Sequence, residues 1–185
     1  MRKFFATVTA TGAILFCAVP MAQAQTTTLQ PGPGQYTFDG MAELTASGFS
    51  PNCNLELTGD VATNNDGSVT IDVVDGNVTG SGLCGVISLD FNPAWTVTVP
   101  QEELPTTENP TRPVVGTFQN VQVSYSFLGF PIQCSSTPAM VEATFMNGAS
   151  GVASSFTFND DIGSRCAVDG TIDAQQDIDV LVTGS

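Results

Sequence analysis

Apolar and polar side chains alternate one by one along most of this chain, and that period governs what it can fold into. Val121, Val123, Tyr125 and Phe127 are interleaved with Gln122, Ser124 and Ser126. Val69, Ile71 and Val73 alternate with Thr70 and Asp72, and Ile178, Val180 and Val182 repeat the pattern near the C-terminus. Successive side chains on a strand point to opposite faces, so these runs read as strands buried on one face and wet on the other. No window of about a dozen residues carries the 3.6-residue stripe of an amphipathic helix. Asp66-Gly67 and Asn147-Gly148 sit between such runs and read as hairpin turns. The pattern predicts an all-β fold of about nine or ten strands, arranged as an antiparallel β-sandwich with Greek-key or jelly-roll-like connections.

The first 24 residues do not belong to that pattern. Arg2 and Lys3 precede a mostly apolar run, Phe4 to Val19, too short to span a bilayer. Met21-Ala22-Gln23-Ala24 places small residues where a signal peptidase cuts, so residues 1–24 are expected to be a cleaved signal peptide. Export follows, to the periplasm or the extracellular space, and no second long apolar stretch predicts a transmembrane segment in the mature chain. Residues 25–35, rich in Thr, Pro and Gly, are expected to be a flexible tail, with residues 36–185 forming one domain.

Removal of Cys17 leaves Cys53, Cys84, Cys134 and Cys166, an even set that reads as disulfides in an oxidising compartment. Four cysteines allow three pairings. The chain on either side of 101–113, a stretch with Pro105, Pro110 and Pro113, has one weakly repeated plan: cysteine, strand, turn, strand, cysteine, strand. That repeat favours Cys53–Cys84 and Cys134–Cys166, without fixing the connectivity, in a domain of two weakly similar halves joined near 101–113.

Charge excludes several function classes. After position 24 only Arg112 and Arg165 are basic, against 18 acidic residues, a formal charge of −16 (two positive, eighteen negative). Such a chain repels nucleic acid and anionic membranes. There is no histidine anywhere, and the one lysine, Lys3, leaves with the signal. Ser-His-Asp triads, Cys-His dyads, histidine-ligated zinc and Schiff-base lysines are therefore ruled out. The paired carboxylates Glu102-Glu103 and Asp160-Asp161 are neighbours in sequence and, on a strand, would point to opposite faces. No enzyme activity and no cofactor are expected.

Asn64, Asp66, Asp72 and Asp75 supply oxygen atoms around one turn and form a calcium candidate, although turn chemistry alone explains Asn, Asp and Gly there. Gly76 to Gly85 lacks a phosphate-loop lysine, and Asn77-Val78-Thr79 matches a glycosylation sequon. Trp95 is expected to plug the core between the two sheets. Phe127, Phe130 and Ile132 lie in the most apolar mature stretch; they either cap the core or form an apolar surface patch of the kind that binds or adsorbs.

The run Gly82-Leu83-Cys84-Gly85-Val86-Ile87, followed by Asn92-Pro93-Ala94-Trp95-Thr96-Val97-Thr98-Val99, resembles the core signature of the alkane-oxidation activator (Pra-type) proteins. Cys53 to Thr79, Ser155 to Asn159 and Cys166-Ala167-Val168-Asp169-Gly170 fit the same resemblance, which spans Phe49 to Ile172. It implies an exported, non-catalytic accessory protein that helps cells use n-alkanes at the oil-water boundary or cell surface, with a hydrophobic substrate or the cell surface as partner. The alternative is a structural surface, fibre or adhesion protein, in which residues 25–38 add as a strand to a neighbouring copy; monomer and self-assembling subunit both stay open.

Overall fold

A computed structural model describes residues 25–46, 48–149 and 152–184, so the expected signal peptide lies outside the described residues. Twelve strands occur among them: β1 (Thr26–Gln30), β2 (Gly34–Ala46), β3 (Asn52–Thr63), β4 (Val69–Thr79), β5 (Ile87–Asp90), β6 (Trp95–Val99), β7 (Val114–Phe127), β8 (Phe130–Gln133), β9 (Ala139–Met146), β10 (Ser155–Ile162), β11 (Cys166–Ala174) and β12 (Asp179–Thr183). Short 3-10 turns cover Gly82–Val86 and Gln101–Glu103.

The expected all-β chain with two disulfides is present, but the sandwich is not. Strands β2, β3, β4, β6, β7, β9, β10 and β11 pair in that order, each antiparallel to the next, and β11 returns to β2. The sheet closes as an eight-stranded up-and-down barrel, with neither Greek-key nor jelly-roll crossing. Alternation tells which side chains face inward; it does not tell whether the last strand of a sheet meets the first. Closure depends on β7, which pairs with β9 through Val114–Phe118 and Val121 and touches β6 at Thr96–Gln119. Eight strands leave an interior that side chains can fill.

That interior is apolar and aromatic. Phe156 packs against Phe38, Phe145 and Phe118, with ring centroids 5.0, 5.1 and 5.7 Å apart. Two glycines allow β2 and β11 to cross closely. A Cβ on Gly40 would run into the Thr171 carbonyl, and one on Gly170 would stand 2.5 Å from the Met41 carbonyl oxygen.

One barrel end is capped. Residues 26–30 are not a free tail but pair with β12 across the whole of β1. Leu104 and Pro105, in the stretch read as a linker, are buried, and Val182 N–H donates to the Pro105 carbonyl at 2.8 Å. Asn147-Gly148 does lie in a hairpin connection, β9 to β10, but in a long loop rather than a tight turn: Asn147 is buried there, its amide donates to the Pro110 and Val180 carbonyls and its Oδ1 accepts from Val180 N–H. These bonds fasten β12 over the barrel mouth.

Candidate functional site: an apolar tip

The opposite end is built differently. There the chain turns between β2 and β3, between β4 and β5, between β7 and β8, and between β10 and β11. Asn120, at φ 64°, sits in a break of register between Phe118 and Val121 and turns the far half of β7 away from the barrel wall. That half carries β5 on one side and β8 on the other, and its Val123 and Tyr125 are buried beside Leu44 and Ile162, so a small three-stranded sheet lies over this end.

The tip exposes large apolar side chains. Leu128 and Phe130 on the β7–β8 hairpin are 83 % and 73 % exposed, Phe49 on the β2–β3 turn 46 %, and Leu83 on the Gly82–Val86 turn 40 %. A shallow groove joins Phe49 and Leu83 to Pro51, Val86 and Ile87. The hairpin turns through Leu128 and Gly129, both at positive φ (51° and 82°), as a two-residue hairpin of primed type requires. Asn or Gly is the ordinary occupant of such a position; leucine there costs about 1–2 kcal/mol of backbone strain. The strained residue is also the most exposed large apolar side chain among the described residues.

Both disulfides brace this end. Cys53–Cys84 ties the start of β3 to the turn that carries Leu83, and Cys134–Cys166 ties the chain leaving β8 to the start of β11. These are the two pairs that the internal repeat favours. Leu83 and Phe130 are thus held on short loops anchored to the barrel wall.

Electrostatics separates the two ends further. None of the 18 acidic residues lies in the tip segments 46–52, 80–87, 127–138 and 163–165, whose only charged residue is Arg165. The capped end carries Asp66, Glu102, Glu103, Glu108, Asp177 and Asp179. Along the barrel's outer face carboxylates stand opposite one another: Asp173 by Asp39 and Asp39 by Glu56, Asp169 by Glu43, Asp60 by Asp72. An acidic outer wall around an apolar interior is the reverse of barrels that face lipid. Among the described residues no helix is long and apolar enough to cross a membrane.

The calcium candidates do not converge. Asp66 accepts from Ser68 N–H and Oγ at 3.0 and 2.6 Å, and these bonds hold its carboxyl below the usual range. Asn64 turns its amide donors to Ser68 and Thr70, Asp72 accepts from Thr96 and Asp75 from Gly76 N–H. Among the described residues no three His, Cys, Asp or Glu side chains gather as a metal site. Trp95 is buried on β6, stacked 4.6 Å from Phe91, with its indole N–H on the Asp90 carbonyl at 2.7 Å.

Of the expected patch, Phe130 is exposed, Ile132 is half-buried against the core, and the Phe127 side chain lies outside the described part. Leu128, Phe49 and Leu83 complete the tip, although the alternation along the chain does not group them. The signal was present: each is a large apolar residue with a glycine beside it, outside the alternation of any strand.

A family model described as "Alkane oxidation protein activator PraA/PraB-like" matches residues 1–182. No curated protein and no solved structure matches. The chain belongs to the PraA/PraB-like alkane oxidation protein activator family.

Proposed function

We propose that this alkane oxidation activator relative is an exported, non-catalytic protein that adsorbs through its apolar tip at a hydrocarbon–water boundary. The observation that carries the reading is the polarity of the barrel: four exposed apolar side chains at an end free of carboxylates, and acidic residues over the wall and the opposite end. Apolar side chains leave water when the tip meets oil, while the carboxylates stay hydrated and keep coated droplets apart. The chain lacks histidine and its four described cysteines are paired, so imidazole and thiolate chemistry does not compete with this reading.

Hexadecane–water interfacial tension against concentration of protein covering residues 25–185 tests it. A steep fall, weakened when Leu128 and Phe130 become serine, is expected; a fall no greater than that of an unrelated acidic β protein overturns the reading. The fibre alternative requires β1 to leave its own β12, with which all five of its residues pair.

A further inference from the structure

The barrel wall is acidic on one side and nearly neutral on the other. Strands β11, β2, β3 and β4 carry two carboxylates each. Strands β6 and β7 carry none, Glu103 lying beyond the end of β6, and β9 carries one, Glu142. In the closed order of the sheet β7 stands four strands from β2 in either direction, so the neutral flank lies across the barrel from acidic β2. The flank also exposes apolar side chains, Val115 on β7 and Met140 and Met146 on β9. Thr98 and Thr117 stand beside Val115 as uncharged polar groups.

Opposite charges stand on either side of one point on this flank. Val115 pairs with Thr144, and Thr117 with Glu142. Glu142 therefore lies on the tip side of Val115, while Arg112, half-buried in the chain entering β7, lies on the capped side. The Asp160 carboxylate accepts from the Glu142 N–H at 2.6 Å, which sets a second carboxylate beside Glu142. Arg112 forms no ion pair among the described residues. Met140 and Met146 likewise stand on either side of Thr144 along β9.

We propose that this flank binds a second copy of the chain. Two chains of formal charge −16 repel each other, and contact through the neutral flank holds their acidic sides apart. At physiological salt, charges separated by more than about 8 Å are largely screened. A twofold axis running along the strands would set Arg112 against Arg112 and Glu142 against Glu142. A twofold axis running across the strands at Val115 instead sets Arg112 of each copy against Glu142 and Asp160 of the other, and Met146 against Met140. Charge thus selects an antiparallel pair of barrels. Their tips point in opposite directions, so one pair reaches two apolar surfaces. That consequence rests on the tip reading; the pairing itself does not.

Sedimentation equilibrium of protein covering residues 25–185, at about 0.15 M salt and without hydrocarbon, tests it. A monomer–dimer equilibrium is expected. Arg112→Glu and Glu142→Arg should each weaken the dimer at least about tenfold, and the two together should restore it to within about threefold of the unaltered protein. Serine at both Leu128 and Phe130 should leave the dimer unchanged. A monomer at every concentration up to about 1 mM overturns the proposal, as does a dimer indifferent to the charge reversals. Loss of the dimer in the Leu128 and Phe130 variant also overturns it, since the copies would then meet through their tips. A charge-dependent dimer without interfacial activity sustains the proposal and overturns the tip reading. Should Arg112→Glu fail to fold, a dimer unaltered in Glu142→Arg overturns the proposal by itself.

Discussion

Replacing Leu128 and Phe130 together by serine should separate adsorption from folding. Full burial of a Leu or Phe side chain is worth about 1.5–3 kcal/mol. Leu128 is 83 % and Phe130 73 % exposed in the folded protein, so most of that gain is still available when the tip enters oil. Scaled by exposure, the two contribute roughly 2–5 kcal/mol to adsorption, or about 30- to 3,000-fold in the adsorption constant. The same exposure means that folding should barely respond, within about 0.5 kcal/mol, and the strain at Leu128 is not worsened by serine. Pendant-drop tensiometry on hexadecane gives the concentration at which tension falls, and urea unfolding gives stability. The variant curve should move to higher concentration by at least an order of magnitude, with an unchanged urea midpoint. Two folded proteins whose tension curves superimpose within about threefold would refute the reasoning, because the tip side chains would then contribute less than half of the lowest estimate.

Replacing Cys53 and Cys84 by alanine opens a loop of 31 residues and should lower stability by about 3–4 kcal/mol in urea unfolding, while freeing the turn that carries Leu83; a loss below about 1 kcal/mol would contradict the loop-entropy account. Asn147→Ala leaves Val180 N–H without its partner beneath the cap and should cost about 1–3 kcal/mol for that orphaned group, with hydrogen exchange rising first in β12; uniform exchange across the barrel would argue against a cap held at this point. Asp179 carries a raised pKa, chiefly from burial and then from Asp177, so the folded state holds this proton more tightly than the unfolded one. Its ionisation opposes folding, and the penalty is present above the folded pKa and gone below the ordinary carboxylate value near about 3.9. Asp179→Asn should therefore raise the melting temperature at pH 7 and not at pH 3; an equal gain at both pH values would exclude the electrostatic cause.

Several features were legible in the residues alone because their causes are local. The inward set Val121, Val123 and Tyr125 follows from a two-residue period, and all three are buried. The lack of histidine removes whole classes of chemistry without reference to any fold. The cysteine pairs could be favoured from an internal repeat because each disulfide closes a loop of 31 or 32 residues within one half of the chain.

Closure and polarity were not legible, and the reason in each case is distance along the chain. A strand's alternation is the same in a sandwich and in a barrel; β7 made the difference by meeting β6 on one edge and β9 on the other. β1 looked like a tail because its partner β12 lies about 150 residues away, at the other end of the sequence. Leu83, Phe49 and Leu128 are scattered apolar residues in the sequence and come to one end of the barrel only because their three turns gather there. The sequence by itself determined the buried faces of the strongly alternating strands, though it counted nine or ten where twelve are present, together with the charge and the absent chemistries, all of which depend on near neighbours or on composition. The tertiary structure decided that the sheet closes, that β1 and β12 cover one mouth, and that four exposed apolar side chains gather at an end free of carboxylates, because those properties arise from contacts between residues far apart in the chain.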